Sequence, residues 1–447
     1  MDTRPGGSAG PSRLTGIVLI ALVFPISGCD LLMKGLEAYT DCDRFDEDYA
    51  DRLATEGELS DTVPSDTDQY PMSIIISQDA LNRLFEAVSE GDLAPLTATY
   101  DVLGIPVTVG IDPELPLLQV GGERGCGDCI LLEMGFSVWV EMFGLQYGGS
   151  GSGRYQFPLE IVDNGMESSS VFARLAESEV LEVDISLTGI DDAYLDLIEG
   201  YVADLATLVI QQSYGDVRIF DLEAWKLGDG AIRLLGRGPH IYPDQGTVVI
   251  GLQTNLVRPL NGAVTIDPVL PDGADLGMQF HPELIQQIIA RMLHEGYIPR
   301  TYSSTGQAED GGAFSVTMNR METADEGLLG ANFRLWQTGG DYCGWADIGL
   351  GLGLSITGGQ VRLSPVQVEV TDADGVGQVL AMANSWLQSR FTQDMSAFSE
   401  IAINYRELTL PMGKQAEMSS SSFRLDLNAN GLNVFLNLDA VVDAATD

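Results

Sequence analysis

The stretch "ISQDALNRLFEAVSEGDL", Ile76 to Leu93, returns about two hundred residues later as "FHPELIQQIIARMLHEGYI". Under a shift of 204, Ser77 falls on His281, Leu81 on Ile285, Leu84 on Ile288, Phe85 on Ile289 and Val88 on Met292, and Gly91 meets Gly296 after one inserted residue. Each copy reads as a short amphipathic helix. Ser77 is an N-cap with Asp79 in the first turn, while Pro282 and Glu283 open the second copy by different chemistry.

The segments after each helix repeat as well. "GFSVWVEM" sets Phe136, Val138, Val140 and Met142 against polar or aromatic alternates, and "LEVDISL" does the same with Leu181, Val183, Ile185 and Leu187. The second copy answers with "IGLGLGLSI" and "VQVEV", so both copies predict antiparallel sheet with one wet face. A strand with Gly349, Gly351 and Gly353 on one face predicts close approach of another backbone, a helix or a ligand. Long apolar-faced helices come next. The first, Asp191 to Tyr214, carries Leu197, Tyr201, Leu205 and Leu208; the second, Val376 to Phe398, carries Val379, Met382, Trp386, Phe391 and Met395. Each would be roughly 35 Å long. Paired strands then close both copies, with "DQGTVVIGL" matching "ANGLNVFLNL" around Gly246 and Gly431.

Short helix, strands, long helix, strands, twice over, predicts an α+β chain of two tandem modules, residues 70–257 and 276–447, joined by a proline-containing linker, 258–275. Residues 29–69, with the acidic run "DCDRFDEDYADRLATEGELSDTVPSDTD", read as a tether. Residues 1–28 read as a signal peptide: Arg4 and Arg13 precede the apolar run "LTGIVLIALVFPI", too short to span a bilayer. It closes on "ISGC", which resembles a bacterial lipobox and implies acylation of Cys29. The expected location is the cell envelope, facing the periplasm or the surface; which membrane is left open. The formal net charge of −42 repels nucleic acid and anionic headgroups, so no nucleic-acid partner is expected.

With Cys29 acylated, Cys42, Cys126, Cys129 and Cys343 remain, an even count that in an oxidising compartment predicts structural disulfides of open pairing. "CGDC" has no second Cys-x-x-C and no histidine at ligand spacing, which argues against zinc. Neither a metal nor a cofactor is expected. The chain reads as no enzyme. "GGSGSG" at Gly148 forms neither a nucleophile elbow nor a dinucleotide fingerprint and reads as a hairpin turn. His240, His281 and His294 have no recognisable catalytic partner. "DLNANG" at Asp426 opens like a calcium loop but has Asn437 at the twelfth position, so a β-turn on Asn430 and Gly431 is expected.

The two helix copies, the long helix "YLDLIEGYVADLATLVI" with its counterpart and the proline-rich linker together resemble the tubular lipid-binding superfamily. The likeness is to its two-module members related to bactericidal/permeability-increasing protein and lipopolysaccharide-binding protein, and covers roughly residues 70 to 447. The resemblance implies two elongated half-barrels, each a curved antiparallel sheet wrapped on a long helix, with an apolar cleft that takes acyl chains. Its antibacterial members present cationic tips, whereas this chain is strongly acidic, which disfavours direct binding of lipid A phosphates. The function implied is lipid binding or transfer by a membrane-anchored envelope lipoprotein; the alternative is a structural or interaction lipoprotein without ligand. Protein partners are unknown. Candidate groove residues on the apolar helix faces are Leu84, Phe85, Val88, Leu197, Tyr201, Leu205, Leu208, Ile288, Met292, Val379, Met382, Trp386, Phe391 and Met395.

Overall fold

The structure, a computed structural model, describes residues 42–63, 70–89, 95–102, 104–165, 168–190, 192–211, 216–227, 230–256, 267–324, 328–338, 343–357, 360–374, 408–409, 415–428 and 431–443. Over these the chain is mixed α+β and mostly antiparallel sheet. Four α-helices are described: α1 (Cys42–Thr55), α2 (Gln78–Ser89), α3 (Asp192–Val209) and α4 (Pro282–His294).

A central sheet runs in the order β12 (Leu234–Tyr242), β13 (Thr247–Thr254), β1 (Met72–Ser77), β14 (Leu276–Phe280), β22 (Gly431–Asp443), β21 (Gln415–Asn428) and β20 (Leu408–Thr409). Its register is symmetric about one pair. Ile74 pairs with Met278, 204 positions on, while Met72 pairs with Phe280 and Ile76 with Leu276, so the shift seen in the sequence exchanges partners across β1 and β14. The outer neighbours follow the same symmetry: Ile74 pairs with Ile250 on one side, and Met278 with Val434 on the other. By this register Val248 corresponds to Leu432, one residue off the alignment expected from Gly246 and Gly431. The connecting turns differ in length, which moves the glycines. β1 and β13 are apolar runs without clean alternation because both of their faces are covered.

On one side lies a sheet of β2 (Leu96–Val102), β3 (Ile105–Pro113), β5 (Cys129–Met142), β6 (Leu145–Asp163), β7 (Ser168–Arg174) and β9 (Asp216–Glu223), with β4 (Leu117–Val120) paired to β5 and β8 (Glu179–Leu187) to β6. A small ribbon of β10 (Trp225–Leu227) and β11 (Gly230–Ile232) follows. The second half contributes β15 (Thr301–Tyr302), β16 (Phe314–Ala324), β17 (Leu328–Gln337), β18 (Gly344–Thr357) and β19 (Gln360–Asp374), hydrogen-bonded in that order. Buried apolar side chains from both halves form one contiguous core.

Ser77 caps α2 as the sequence predicts, and α4, which opens on Pro282, is capped by His281, a role its sequence does not mark. The Ala80 N–H donates to Ser77 Oγ at 3.0 Å, and the Glu283 N–H donates to His281 Nδ1 at 3.2 Å. Only a neutral imidazole can accept that bond. Burial holds the His281 pKa below its ordinary value, with Glu283 opposing. Stability from this cap is therefore full above about pH 6.5 and is lost as pH falls from there toward the depressed folded value. A cap is worth about 1 kcal/mol. Thermal melts of His281→Asn, which keeps an acceptor without titrating, are expected to match wild type at pH 8 and exceed it at pH 5; a constant offset would contradict this.

The acidic segment expected to be a tether, residues 29–69, is helical over 42–55. Residues 42–55 form α1, whose Phe45, Tyr49 and Leu53 recur at helical spacing among the carboxylates. Phe45 meets Trp336 edge-on at 5.2 Å between ring centroids, Tyr49 lies 5.5 Å from the same ring, and the Tyr49 hydroxyl donates to Ser315 Oγ at 2.6 Å. Beyond the helix, buried Glu56 accepts from the Met318 N–H and pairs with Arg300 at 3.3 Å. Gly57 then turns the chain at φ +62°, where a methyl group would overlap the Arg291 backbone. An apolar stripe of this kind is easily hidden in a strongly acidic segment.

Further expectations change. The "GGSGSG" run is not a turn but the interior of β6, paired with β5 from Trp139–Gly148 to Met134–Gly153. The turn is instead Phe143–Gly144, both at positive φ as a two-residue hairpin requires. In β18 the row of Gly349 and Gly351 faces outward beneath Thr371, Glu369 and Gln367, while Ile348, Leu350 and Leu352 fill the core. Asn428 pairs with Gly431 across the hairpin joining β21 and β22, so Gly431 opens the strand and is not a central turn residue as expected, while Asn430 lies outside the described residues.

Candidate apolar cleft

The eight-stranded sheet has two edges that matter. Among the described residues β2 pairs only with β3 and β8 only with β6, and α3 lies across the gap against β2, β3 and β8. Its inward stripe is Ile198, Val202, Leu205, Ala206 and Val209, all buried. Along β5 the inward row is sealed: Leu132, Met134, Phe136, Val138 and Val140 are at most 2% exposed. Toward the edges the cover thins. Val183 and Ile185 on β8, and Ala98 and Tyr100 on β2, are half-buried although they pack on the same core. The outer face is wet, and there Arg154 pairs with Glu123, Glu133 and Glu182.

Between the sealed row of β5 and the open row of β8 runs a strip without side chains. Gly149, Gly151 and Gly153 sit opposite Val138, Phe136 and Met134 on one side and Leu187, Ile185 and Val183 on the other. Two aromatic rings use the space: a methyl at Gly151 would strike the Phe136 ring, and one at Gly153 the Tyr155 ring. Tyr155 is fully buried, and among the described residues its hydroxyl has no hydrogen-bond partner. Burial pushes its pKa upward, so it is a neutral donor.

Of the expected groove residues, Leu205 lies on the inward stripe of α3 and is buried. Tyr201 is half-buried and stacks on Tyr100 at 4.4 Å between centroids, and the Tyr100 hydroxyl donates to the Tyr201 carbonyl at 3.5 Å. Leu208 is turned outward and 38% exposed. Leu84, Phe85, Ile288 and Met292 are buried in the contiguous core, on α2 and α4. The side chains of Val88 and Leu197, and Val379, Met382, Trp386, Phe391 and Met395, lie outside the described residues, as does Cys29.

The residues the sequence did not single out are Tyr155, Gly151 and Gly153. Their signal was present as alternating glycines, but the run resembles turn chemistry until its pairing is known. Leu181 also leaves the row expected for it: a bulge at Arg154/Tyr155 moves Val180 into the register position, and the Leu181 carbonyl accepts from Arg124 Nη2 at 2.9 Å.

Cys126 and Cys129 are bonded to each other at the start of β5, and Cys343 is also in a disulfide. Asp128 beside the Cys126–Cys129 pair completes a set of three potential donors, but sulfurs joined to each other supply no thiolate to a metal. The described residues also line a small recess between Asp163, Ser168, Ser169, Arg233, Leu234 and Leu235, which has no room for an acyl chain. Among the described residues no helix is long and apolar enough to cross a membrane.

No known family profile and no curated protein sequence matches the chain. Among solved structures it is similar to lipopolysaccharide binding protein, at 10% identity over 83% of this chain and 99% of that one, with a TM-score of 0.37. It is also similar to P47 of Clostridium botulinum E1, at 9% identity over 83% and 99% and a TM-score of 0.40. P47 from Clostridium botulinum A2 matches at 10% identity over 82% and 97%, again with a TM-score of 0.40. Overlaps this loose assign neither fold nor function by themselves.

Proposed function

We propose that this chain is a non-catalytic lipoprotein of the cell envelope that binds or carries a lipid or another apolar molecule in a cleft between α3 and the edges of its sheet. The observation that carries the reading is the inner face of β8. Val183 and Ile185 are apolar, point toward the core and stay half-buried beside a glycine strip, where a sealed core would cover them. Burying an acyl chain gains about 0.8 kcal/mol per methylene, so a 16-carbon chain gains roughly 10 kcal/mol before entropic losses. The two halves are read as duplicated modules, a reading supported by the symmetric register about Ile74 and Met278. Cys29, acylated, holds the body to one membrane leaflet.

A second reading is favoured by one specific observation. Leu84, Phe85, Leu205, Ile288 and Met292 are buried against neighbouring side chains of the chain itself, as in an interior that fills its own space. On that reading the chain is an envelope lipoprotein that docks another protein. Organic extraction of the purified full chain separates the two: lipid recovered near one equivalent per chain supports the carrier, and none supports the docking protein.

A further inference from the structure

We propose that the Tyr155 hydroxyl is the polar contact of this cleft and donates a hydrogen bond to an uncharged acceptor oxygen, such as an ester carbonyl, on a ligand that enters past the half-buried edge of β8. The proposal rests on the lipid-binding reading and narrows the ligand class. Tyr155 is 0% exposed, its ring folds over Gly153, and Met134 and Val183 flank that glycine by register. Neither neighbouring side chain offers an oxygen. The neighbouring backbone is engaged in the β5–β6–β8 ladder, so among the described residues the hydroxyl faces an apolar surround with nothing to receive its proton. Natural interiors rarely leave such a donor unserved, and a bound partner is one explanation when it occurs.

Charge narrows the choice further. The inward residues around the strip, Leu132, Met134, Phe136, Val183 and Ile185, carry none, so a carboxylate or phosphate there would be desolvated without a counter-ion. An ester or ketone oxygen meets one neutral donor at much smaller cost. The half-buried edge of β8 supplies the entrance, and a chain passing it meets the Phe136 and Tyr155 rings that lie over Gly151 and Gly153.

The test compares two probes of similar length, tritiated methyl palmitate and tritiated octadecane, delivered from cyclodextrin to the full chain and to Tyr155→Phe. Wild type is expected to prefer the ester about tenfold, the share of one buried hydrogen bond, and the variant to lose that preference while binding octadecane as before. Thermal melting controls for folding: Tyr155→Phe removes an unserved hydroxyl, so its melting temperature should be equal or higher. An equal ester preference in both proteins would overturn the role of Tyr155 and leave the carrier reading standing. Binding of neither probe by wild type would overturn both.

Discussion

Replacing Trp336 with alanine is expected to lower the unfolding free energy by about 3–5 kcal/mol, the range for a large buried aromatic. Its ring is 1% exposed, and its Nε1–H donates to Thr317 Oγ1 at 2.8 Å. Phe45 and Tyr49 of α1 pack on one part of it, and the Arg334 guanidinium lies 5.3 Å from its centroid. Truncation therefore leaves a cavity, an unpaired Thr317 hydroxyl and a helix without its main contact. Hydrogen exchange across residues 42–55 should accelerate more than elsewhere. Trp336→Phe, which keeps a ring and loses the hydrogen bond, is expected to cost about 1–2 kcal/mol. A denaturant melt showing less than 1 kcal/mol for the alanine variant would mean that α1 is not held by this ring.

On the proposed lipoprotein reading, Cys29→Ser is expected to abolish membrane attachment. On the proposed reading the acyl chains on this sulfur are the attachment, and each buried methylene contributes about 0.8 kcal/mol, so their loss shifts partition by several orders of magnitude. Wild type should take up tritiated palmitate in the producing cell and sediment with membranes, and the variant should do neither. A variant that still sediments would place the attachment elsewhere. On the same reading the anchor also sets reach. Because α1 is docked, only residues 30–41 separate Cys29 from the folded body, a span of at most roughly 40 Å. Undocking α1 by Trp336→Ala would lengthen that leash, which links the two variants.

The sequence was most legible where period and symmetry agree. The α2 and α4 helices, the cap at Ser77 and the strand rows of Phe136, Val138 and Val140 all sit where their patterns place them, because local chemistry alone decides each. The apolar row of β8 was visible too, but not that it lies at an edge; edge position depends on pairing between distant segments, which period does not encode. The same limit hid the strip of Gly149, Gly151 and Gly153 inside a run that looks like turn chemistry, and the bulge that displaces Leu181. In α1 the error was of another kind: carboxylates dominate the composition, while Phe45 and Tyr49 dock the helix, and averaging lost them. The candidate site was least legible because a cleft is a property of packing between strands. Leu205 lies buried on the inward face of α3, as its helical period predicts, whereas nothing local in the sequence marks the Tyr155 hydroxyl as unserved.

Whether the cleft between α3 and β8 holds an apolar guest is read most directly from a pair of mass spectra, native and denaturing, on full-length protein purified without detergent exchange. The native mass is expected to exceed the denatured one by a discrete increment of a few hundred daltons per chain, the order of a single lipid. That increment should be lost on denaturation and recovered in the organic extract. Identical masses in both spectra, unchanged after incubation with lipid extract from the producing cells, would mean that the cleft carries no guest.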